Sequence, residues 1–256
     1  MKMTFKDSDK IFILGHRGFR GKLENTIPAF KRALKYADGI EFDVRITHDK
    51  KLVLLHDGTF KSDGQEYSVK ALTYRELTRL HPKGKLVPLL KDALVLKPRL
   101  INADLKDIEA LNPLLNKLES TGLLDRTVIS VDSLGWLKII RRECPYCRVG
   151  LSITTPRTFF RSFKFREGYL HVPLDLIKYT GFRVFRTLLR FYGKKTKIWL
   201  WNYQMNEIEW IPKLLPYAYA IISDDPARLK RFISLEPTTN EAIHHVGTRK
   251  SYSSGA

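Results

Sequence analysis

The sequence contains few cysteines, few acidic residues and no long apolar run. Its 256 residues include two cysteines, 27 acidic and 45 basic residues, which gives a formal net charge of +18. No apolar segment approaches the roughly 18 residues of a membrane-spanning helix. Residues 1–12 show neither the apolar core nor the cleavage site of a secretory signal peptide. We therefore expect a cytoplasmic location, with peripheral attachment to a membrane as an alternative.

The two cysteines, Cys144 and Cys147, form the motif Cys-Pro-Tyr-Cys that glutaredoxin active sites also carry. In a redox site of that kind the first cysteine begins a helix, whose N-terminus stabilises the thiolate. Here the motif follows a helical pattern at 134–142 and precedes an apolar run at 148–153. Because this order is reversed, we expect a structural pair joined by a local disulfide, not a redox centre.

The excess of positive charge indicates an anionic partner, which can be a nucleic acid, an anionic membrane or a phosphate-bearing substrate. Eleven basic and two acidic residues lie at 157–197, interleaved with phenylalanine and tyrosine. Helices with aromatic inner faces and basic outer faces account for this pattern. Docking on an anionic membrane surface is the alternative. No recognised nucleic-acid-binding motif accompanies the charge, so a nucleic acid is the least favoured partner.

Short apolar runs alternate with helical patterns along most of the chain. The runs predicted as strands are 11–15, 39–45, 99–104, 127–131, 148–153, 169–172, 197–202 and 220–223. Alternation of strands and helices predicts a parallel sheet. Eight such units in about 230 residues favour a closed (β/α)8 barrel, the TIM-barrel form of the α/β class. A doubly wound sheet of about six strands is the alternative.

Two segments depart from this alternation. Turn signals cluster at 57–88, which we predict to be a small insertion after the second strand that caps the barrel mouth. After residue 235 the chain becomes polar and loses its periodicity. We therefore expect one barrel domain at 1–235 and a disordered tail at 236–256.

Acidic side chains follow two of the predicted strands. Glu41 and Asp43 share one face of the second strand, and Asp104 and Lys106 share one face of the third. If their apolar neighbours pack on the helices, these side chains enter the barrel near the carboxyl ends of its strands. Buried carboxylates are costly unless their charge is compensated. One divalent cation, Mg²⁺ or Ca²⁺, would compensate them. An ion pair with an arginine is the alternative.

Two histidines lie where predicted strands end. His16 stands in Gly-His-Arg-Gly at 15–18, and His56 follows the apolar run 52–55. Histidine is the side chain that titrates near neutral pH. Phosphodiester cleavage needs a base for the nucleophile and an acid for the departing alkoxide. Arg17, next to His16, can hold a phosphate oxygen through its planar guanidinium, and Lys106 adds a positive contact for the same phosphate.

These motifs closely resemble those of the glycerophosphodiester phosphodiesterases, a family of phospholipase-C-like TIM barrels. The matching stretches are Gly-His-Arg-Gly at 15–18, Glu-Asn-Thr at 24–26, Glu-Phe-Asp-Val at 41–44, His-Asp at 56–57, Ala-Asp-Leu-Lys at 103–106, Ile-Trp-Leu-Trp-Asn at 198–202 and Ile-Ile-Ser-Asp-Asp-Pro at 221–226. Their order and spacing agree with the family over the first 57 residues, and the resemblance extends over about residues 11–230.

The resemblance implies metal-dependent hydrolysis of small glycerophosphodiesters to sn-glycerol 3-phosphate and an alcohol. It also implies a role for each matching residue. One divalent metal is bound by Glu41, Asp43 and Asp104, His16 and His56 are the acid–base pair, Arg17 and Lys106 contact the phosphate, Trp199 packs against the glycerol side, and Glu24 with Asn25 braces the site. Asp104 stands where the family has glutamate, which shortens this ligand arm by about 1.5 Å.

Other functions remain open at this stage. A lysophospholipase D-type or phospholipase C-like phosphodiesterase at an anionic membrane surface would use the same residues. A basic nucleic-acid-binding protein is the alternative outside the enzymes. The sequence predicts no oligomeric state and does not identify the alcohol of the substrate.

Overall fold

The chain, seen in a computed structural model, is described over residues 11–204 and 206–235. The predicted disordered tail at 236–256 lies outside these residues. Within them, eleven strands form: β1 Phe12–Gly15, β2 Gly39–Ile46, β3 Leu52–Leu54, β4 Thr59–Ser62, β5 Gln65–Ser68, β6 Leu100–Leu105, β7 Thr127–Val131, β8 Arg148–Ser152, β9 Tyr169–Pro173, β10 Lys197–Trp201 and β11 Ala220–Ser223.

Eight of these strands close into a parallel barrel, as predicted. Around the barrel the order is β1, β2, β6, β7, β8, β9, β10 and β11, and β11 pairs again with β1. Gly15 at the end of β1 is required by close packing, because a Cβ there would lie 2.1 Å from the carbonyl oxygen of Gly18. The first βα turn therefore folds tightly against the strand that precedes it.

The helices surround the barrel and follow the predicted pattern with one exception. They are α1 Ile27–Ala33, α2 Tyr74–Leu80, α3 Leu90–Leu94, α4 Leu111–Ser120, α5 Leu134–Glu143, α6 Pro156–Ser162, α7 Leu176–Thr180, α8 Phe182–Gly193, α9 Glu207–Leu214 and α10 Pro226–Leu235. In the sequence, helical periodicity runs through 174–192. The backbone instead breaks at Gly181, whose φ of 74° lies in the left-handed region that ends helices.

Strand alternation separates the apolar core from the polar barrel interior. Ile40, Phe42 and Val44 of β2 are fully buried against the helix layer, while Glu41 and Asp43 point into the barrel. Burying a side chain such as Phe42 stabilises the fold by about 1.5–3 kcal/mol. A second cluster, which includes Phe12, Leu14, Leu100, Val128, Tyr169 and Trp199, fills the lower part of the barrel. The polar groups therefore collect near the carboxyl ends of the strands.

The insertion after β2 forms a small unit of its own. β3 pairs antiparallel with β2, β4 and β5 form a hairpin, and α2 follows. Val53, Leu77 and Val87 are fully buried in its own apolar cluster. The Nζ atom of Lys83 donates a 2.7 Å hydrogen bond to the carbonyl oxygen of Glu24. This contact ties the end of the insertion to the first βα loop at the barrel mouth.

Cys144 and Cys147 are joined by a disulfide directly after α5, in agreement with the structural pair expected from the sequence. No helix within residues 11–204 and 206–235 combines the length and the apolar character needed to cross a membrane.

Candidate active site

A polar pocket opens at the carboxyl ends of the barrel strands. It brings together most of the residues predicted for the site: His16, Arg17, Glu41, Asp43, His56, Asp104 and Lys106. Residues without a predicted role also line it: Asn102, Ser152, Thr154, His171, Trp201, Tyr203 and Ile222. TIM-barrel enzymes place their active sites at this end of the barrel.

Three carboxylates form an acidic cluster in the pocket. Glu41, Asp43 and Asp104 each offer an oxygen atom, and these atoms lie within 4.8 Å of one another. The strand register explains this proximity, because Asp43 of β2 lies directly beside Asp104 of β6. The shorter side chain at position 104 therefore still reaches the cluster. Hard cations such as Mg²⁺ and Ca²⁺ prefer oxygen ligands of this kind.

Asp43 is the best compensated of the three carboxylates. Burial alone would raise the pKa of Asp43, but the neighbouring cations Lys106 and Arg17 hold this pKa well below its usual range. Lys106 Nζ lies 3.1 Å from Asp43 and 2.5 Å from Asp104, and Arg17 Nε lies 3.2 Å from Asp43. Asn25 adds two hydrogen bonds to Asp43. Its amide nitrogen donates to the Asp43 carboxylate at 2.8 Å, and its amide oxygen accepts from the backbone N–H of Asp43 at 3.2 Å.

Glu41 lacks such compensation. It accepts a 2.7 Å hydrogen bond from the backbone N–H of Arg17. No cationic side chain in the described part of the chain lies within ion-pair distance of it. Burial and the charge of Asp43 raise the pKa of Glu41 well above its usual value. A buried, uncompensated carboxylate beside two other oxygen donors fits the requirements of a divalent cation.

His16 is buried and is oriented by a carboxylate from the opposite end of the chain. Its Nδ1 atom lies 2.5 Å from Oδ1 of Asp224. Asp224 in turn accepts a 3.1 Å hydrogen bond from Arg20. This arrangement leaves Nε2 of His16 available to the pocket. Asp224 belongs to the matching stretch 221–226, but nothing in that stretch alone indicates which side chain it contacts.

His56 lies at the more open side of the pocket, with 41% of its side chain exposed. Its Nδ1 atom lies 2.8 Å from Oδ1 of Asp57. The side chain of Arg45 donates hydrogen bonds of 3.0 and 2.7 Å to the carbonyl oxygen of His56, and Arg45 is itself paired with Asp107 at 3.0 Å. The backbone of His56 is thus fixed, although its ring is accessible to solvent.

Arg17 is held in an unusual backbone conformation by the groups around it. Its φ is 51°, which is sparsely populated for a residue with a side chain. Its guanidinium donates a 2.8 Å hydrogen bond to Glu24. Two acidic groups, Glu24 and Asp43, therefore orient the guanidinium. Burial would lower the pKa of Arg17, but Asp43, Glu41 and Glu24 raise it, so this side chain stays charged.

The two tryptophans of β10 occupy different levels of the barrel. Trp199, predicted to contact the glycerol side, is fully buried and stacks on His171 with ring centroids 5.0 Å apart. It does not line the pocket. Trp201, two residues later on the same face, does line it and lies 6.2 Å from the ring of His16. The predicted contact of Trp199 with the glycerol side stays a prediction, and of the two tryptophans Trp201 is the one that lines the pocket.

Buried polar atoms without a hydrogen-bond partner concentrate in this region. Within the described residues they are Asn102 Oδ1, His171 Nε2, Trp199 Nε1, Trp201 Nε1 and Arg17 Nε, the last of which still forms an ion pair with Asp43. All but Trp199 Nε1 belong to residues that line the pocket. Burial lowers the pKa of His171 to about 4, so its ring is neutral at neutral pH. Such atoms are costly without partners, and the hydroxyl groups of a bound ligand can supply partners.

His171 was not among the predicted site residues, although its position in the barrel interior could have been predicted. The strand 169–172 reads Tyr-Leu-His-Val, and alternation places the histidine on the same face as a barrel-interior tyrosine. In the structure the Nδ1 atom of His171 lies 3.2 Å from Ser152 Oγ. Gly150 makes room for the ring, because a Cβ there would lie 3.0 Å from His171 Nε2.

Comparisons with known proteins agree on one family. Residues 16–140 match the sequence model of the Glycerophosphoryl diester phosphodiesterase family. A glycerophosphodiester phosphodiesterase of Caldanaerobacter subterraneus subsp. tengcongensis is 32% identical over 161 residues, which cover 56% of this chain and 66% of that protein. One of Bacillus altitudinis is 31% identical over 159 residues, which cover 54% of this chain and 65% of the relative. These alignments thus span slightly less than two thirds of either relative.

The fold comparison covers more of the chain. The crystal structure of a glycerophosphodiester phosphodiesterase from Thermotoga maritima superposes with a TM-score of 0.70 at 26% identity, over 89% of this chain and 99% of that one. The family match includes the segments that supply His16, Glu41, His56 and Asp104 to the pocket. In its sequence, its closed barrel and this pocket, the chain is similar to the glycerophosphoryl diester phosphodiesterase family.

Proposed function

We propose that this protein hydrolyses glycerophosphodiesters to sn-glycerol 3-phosphate and an alcohol, with one divalent cation, Mg²⁺ or Ca²⁺. The observation that carries the proposal is the position of the acidic cluster, with its buried and unpaired Glu41, in the same pocket as two histidines, each with a carboxylate on its Nδ1 atom. The similarity to this family supports this reaction class. The chemistry of the pocket supports the assignment of roles to its residues.

Glu41, Asp43 and Asp104 would hold the cation. When bound, it supplies Lewis-acid stabilisation of the negative charge on the phosphate. In this structure Lys106 forms ion pairs with Asp43 and Asp104, so Lys106 and the cation would contact the same two carboxylates. We assign Lys106 and Arg17 to the phosphate, where both remain positively charged.

The two histidines would move the protons. With its Nδ1–H donated to Asp224, His16 presents an unprotonated Nε2, which accepts the proton of the attacking hydroxyl. That hydroxyl belongs to a water molecule or is the neighbouring glycerol hydroxyl, whose attack gives a cyclic phosphate that water then opens to glycerol 3-phosphate. His56, at the open side of the pocket, donates a proton from Nε2 to the leaving oxygen as the phosphorus–oxygen bond breaks. The accessible position of His56 suits an alcohol that leaves towards solvent.

The unpartnered atoms of the pocket support a polyol as the group bound inside. Asn102 Oδ1 accepts hydrogen bonds, Trp201 Nε1 donates them, and a neutral His171 does one or the other through Nε2. Hydroxyl groups of a glycerol moiety both donate and accept, so they can satisfy all three. We assign these residues to the glycerol side of the substrate, in place of Trp199.

A second candidate substrate is a lysophospholipid, in which the glycerol carries an acyl chain. The reaction would then be of the lysophospholipase D type and would use the same histidines and carboxylates. The observation that favours it is an exposed aromatic and basic surface on helices α6 and α8, which is described below.

Product analysis tests the proposed reaction. Glycerophosphocholine, glycerophosphoethanolamine and glycerophosphoglycerol are incubated with the protein and Mg²⁺ or Ca²⁺, and the products are identified by ³¹P NMR. We expect glycerol 3-phosphate and the free alcohol. Release of glycerol with phosphocholine would place the cleavage on the other side of phosphorus and contradict the proposal.

A further inference from the structure

Helices α6 and α8 carry aromatic side chains on their outer surface. Phe160 is 70% exposed and Phe191 is 42% exposed, while Phe159 and Phe163 are half-buried between them. The ring centroids are 5.5 Å apart for Phe159 and Phe160, 5.3 Å for Phe159 and Phe163, and 6.0 Å for Phe163 and Phe191. These four residues form one continuous cluster, here named the aromatic patch.

The two exposed members of the patch, Phe160 and Phe191, do not pack into the main core, whereas Phe159 and Phe163 pack against it. Phe185, Leu189 and Tyr192 are the buried residues of α8, and they pack into the main core. Tyr192 also shares a 2.7 Å hydrogen bond with Ser162, which joins α8 to α6. Phe160 and Phe191 lie outside this contact. Contiguous exposed aromatic groups of this kind mark interaction surfaces more often than isolated ones do.

Exposed cations accompany the patch on the same two helices. On α6, α8 and the residues that follow each helix they are Arg157, Arg161, Lys164, Arg166, Arg183, Arg190, Lys194 and Lys195. Within the part of the chain that the structure describes, none of them lies in an ion pair with an acidic group, and Arg166 lies over the ring of Phe191 at 5.9 Å. Their charge is therefore available to a partner.

We propose that the aromatic patch and these cations dock the protein on the surface of an anionic membrane. Phenylalanine side chains enter the boundary between head groups and acyl chains, and arginine and lysine bind the head-group phosphates. Single-stranded nucleic acid also combines aromatic and basic contacts. A membrane agrees better with the site described above, because its proposed substrates are phospholipid derivatives.

The surface lies next to the pocket along the chain. Thr154 lines the pocket, and Thr155 caps the N-terminus of α6, so α6 leads from the pocket rim to the patch. The choice of a membrane over a nucleic acid rests on the proposed function, whereas the exposed aromatic groups and cations of the surface do not.

Sedimentation with lipid vesicles tests the docking. Vesicles of phosphatidylglycerol with phosphatidylcholine are compared with vesicles of phosphatidylcholine alone, at low and at high salt. We expect binding to the anionic vesicles at low salt, with at least a tenfold loss at high salt. Equal binding to both kinds of vesicle, or binding that salt does not change, would overturn the proposal.

Paired variants separate the patch from general surface properties. Phe160→Ser with Phe191→Ser should weaken binding to anionic vesicles by at least tenfold. Val95→Ser with Leu86→Ser, two apolar side chains that are 75% and 46% exposed elsewhere, should leave it unchanged. Arg161→Glu with Lys164→Glu should likewise weaken binding to anionic vesicles. The control Arg75→Glu with Lys91→Glu changes the net charge by the same amount and should retain more of the binding. Equal losses in a variant pair and its control would contradict the docking surface.

Two further measurements on the same proteins complete the test. Hydrolysis of soluble glycerophosphocholine should be the same in the patch variants as in the wild type. A wild-type protein that binds anionic vesicles but hydrolyses no diester would refute the proposed function and leave the docking intact. Labelled single-stranded RNA is the other probe. If it binds through the patch while the vesicles do not bind, the partner is a nucleic acid and the membrane proposal fails.

Discussion

Asp224 and His16 are 208 positions apart in the chain, yet the Asp224 carboxylate lies 2.5 Å from Nδ1 of His16. Barrel closure creates this contact, because β11 pairs with β1 and both residues follow directly after those strands. The backbone N–H of His16 also donates a 2.8 Å hydrogen bond to the carbonyl oxygen of Ser223. The last strand of the barrel thus orients a side chain supplied by the first.

Removal of the Asp224 charge should slow the reaction without displacing the metal. In Asp224→Asn, the amide no longer fixes the tautomer of His16, so kcat should fall by about 10–100-fold, as for other residues that orient a catalytic group. KM should change little, and the acidic limb of the pH–rate profile should shift. A control, Asp225→Asn at the adjacent position, should keep most of the activity. An unchanged kcat and pH profile for Asp224→Asn would contradict the orienting role.

Neutralisation of Glu41 should have opposite effects on the metal-free and metal-bound proteins. Burial and repulsion from Asp43 raise the pKa of Glu41, so the charge is unfavourable without a cation. Metal-free Glu41→Gln should therefore unfold at the same temperature as the wild type or higher. Addition of Mg²⁺ or Ca²⁺ should raise the unfolding temperature of the wild type alone. Equal stabilisation of both proteins by metal would place the cation elsewhere.

The two tryptophans of β10 should differ in what their removal changes. Trp199 is fully buried within the barrel, so Trp199→Ala should reduce the free energy of unfolding by about 3–5 kcal/mol. Trp201→Ala should reduce stability less, because Trp201 is only partly buried, and should mainly raise KM for the diester. Chemical denaturation and steady-state kinetics on both variants distinguish these effects. A larger rise in KM for a folded Trp199→Phe than for Trp201→Phe would reverse the assignment.

His171 should make the stability of the protein depend on pH below neutrality. Its pKa is lowered by burial to about 4 from a usual 6.5, so the unfolded chain binds a proton in this range before the folded protein does. Stability is therefore lost as pH falls from about 6.5 towards 4. Down to pH 4.5 the loss is about 2–3 kcal/mol. We compare the free energies of unfolding in urea at pH 7 and pH 4.5. The decrease between these pH values should be smaller for His171→Asn than for the wild type by that amount. Identical pH dependence of the wild type and His171→Asn would show that protonation of His171 does not contribute to unfolding in this pH range.

Strand and helix alternation was sufficient to predict the barrel. Eight apolar runs preceded helical patterns, and the closed sheet has its strands at these positions. The break between α7 and α8 was not predicted, because Gly181 stands between two segments that both have helical periodicity. A glycine in such a pattern is compatible with a continuous helix, and only its positive φ in the folded chain shows that the helix ends there.

The acidic cluster was predictable for a different reason. Side-chain alternation placed Glu41 and Asp43 on one face of β2, and neighbouring parallel strands brought Asp104 beside them. The contact of His16 with Asp224 depends on the closure of the barrel, which residue spacing along the chain does not describe. The choice between Trp199 and Trp201 likewise depends on strand stagger, because both lie on the same face of β10 and differ only in height.

The most direct test of the account measures release of glycerol 3-phosphate from glycerophosphocholine with Mg²⁺ or Ca²⁺, with EDTA, and with the His16→Ala and Glu41→Gln variants. We predict metal-dependent release by the wild type, its loss in EDTA and its recovery when metal is restored. Either substitution should reduce it by at least about 100-fold in folded protein. Release that persists in EDTA, or that both folded variants retain, would contradict a metal-assisted mechanism that uses this pocket.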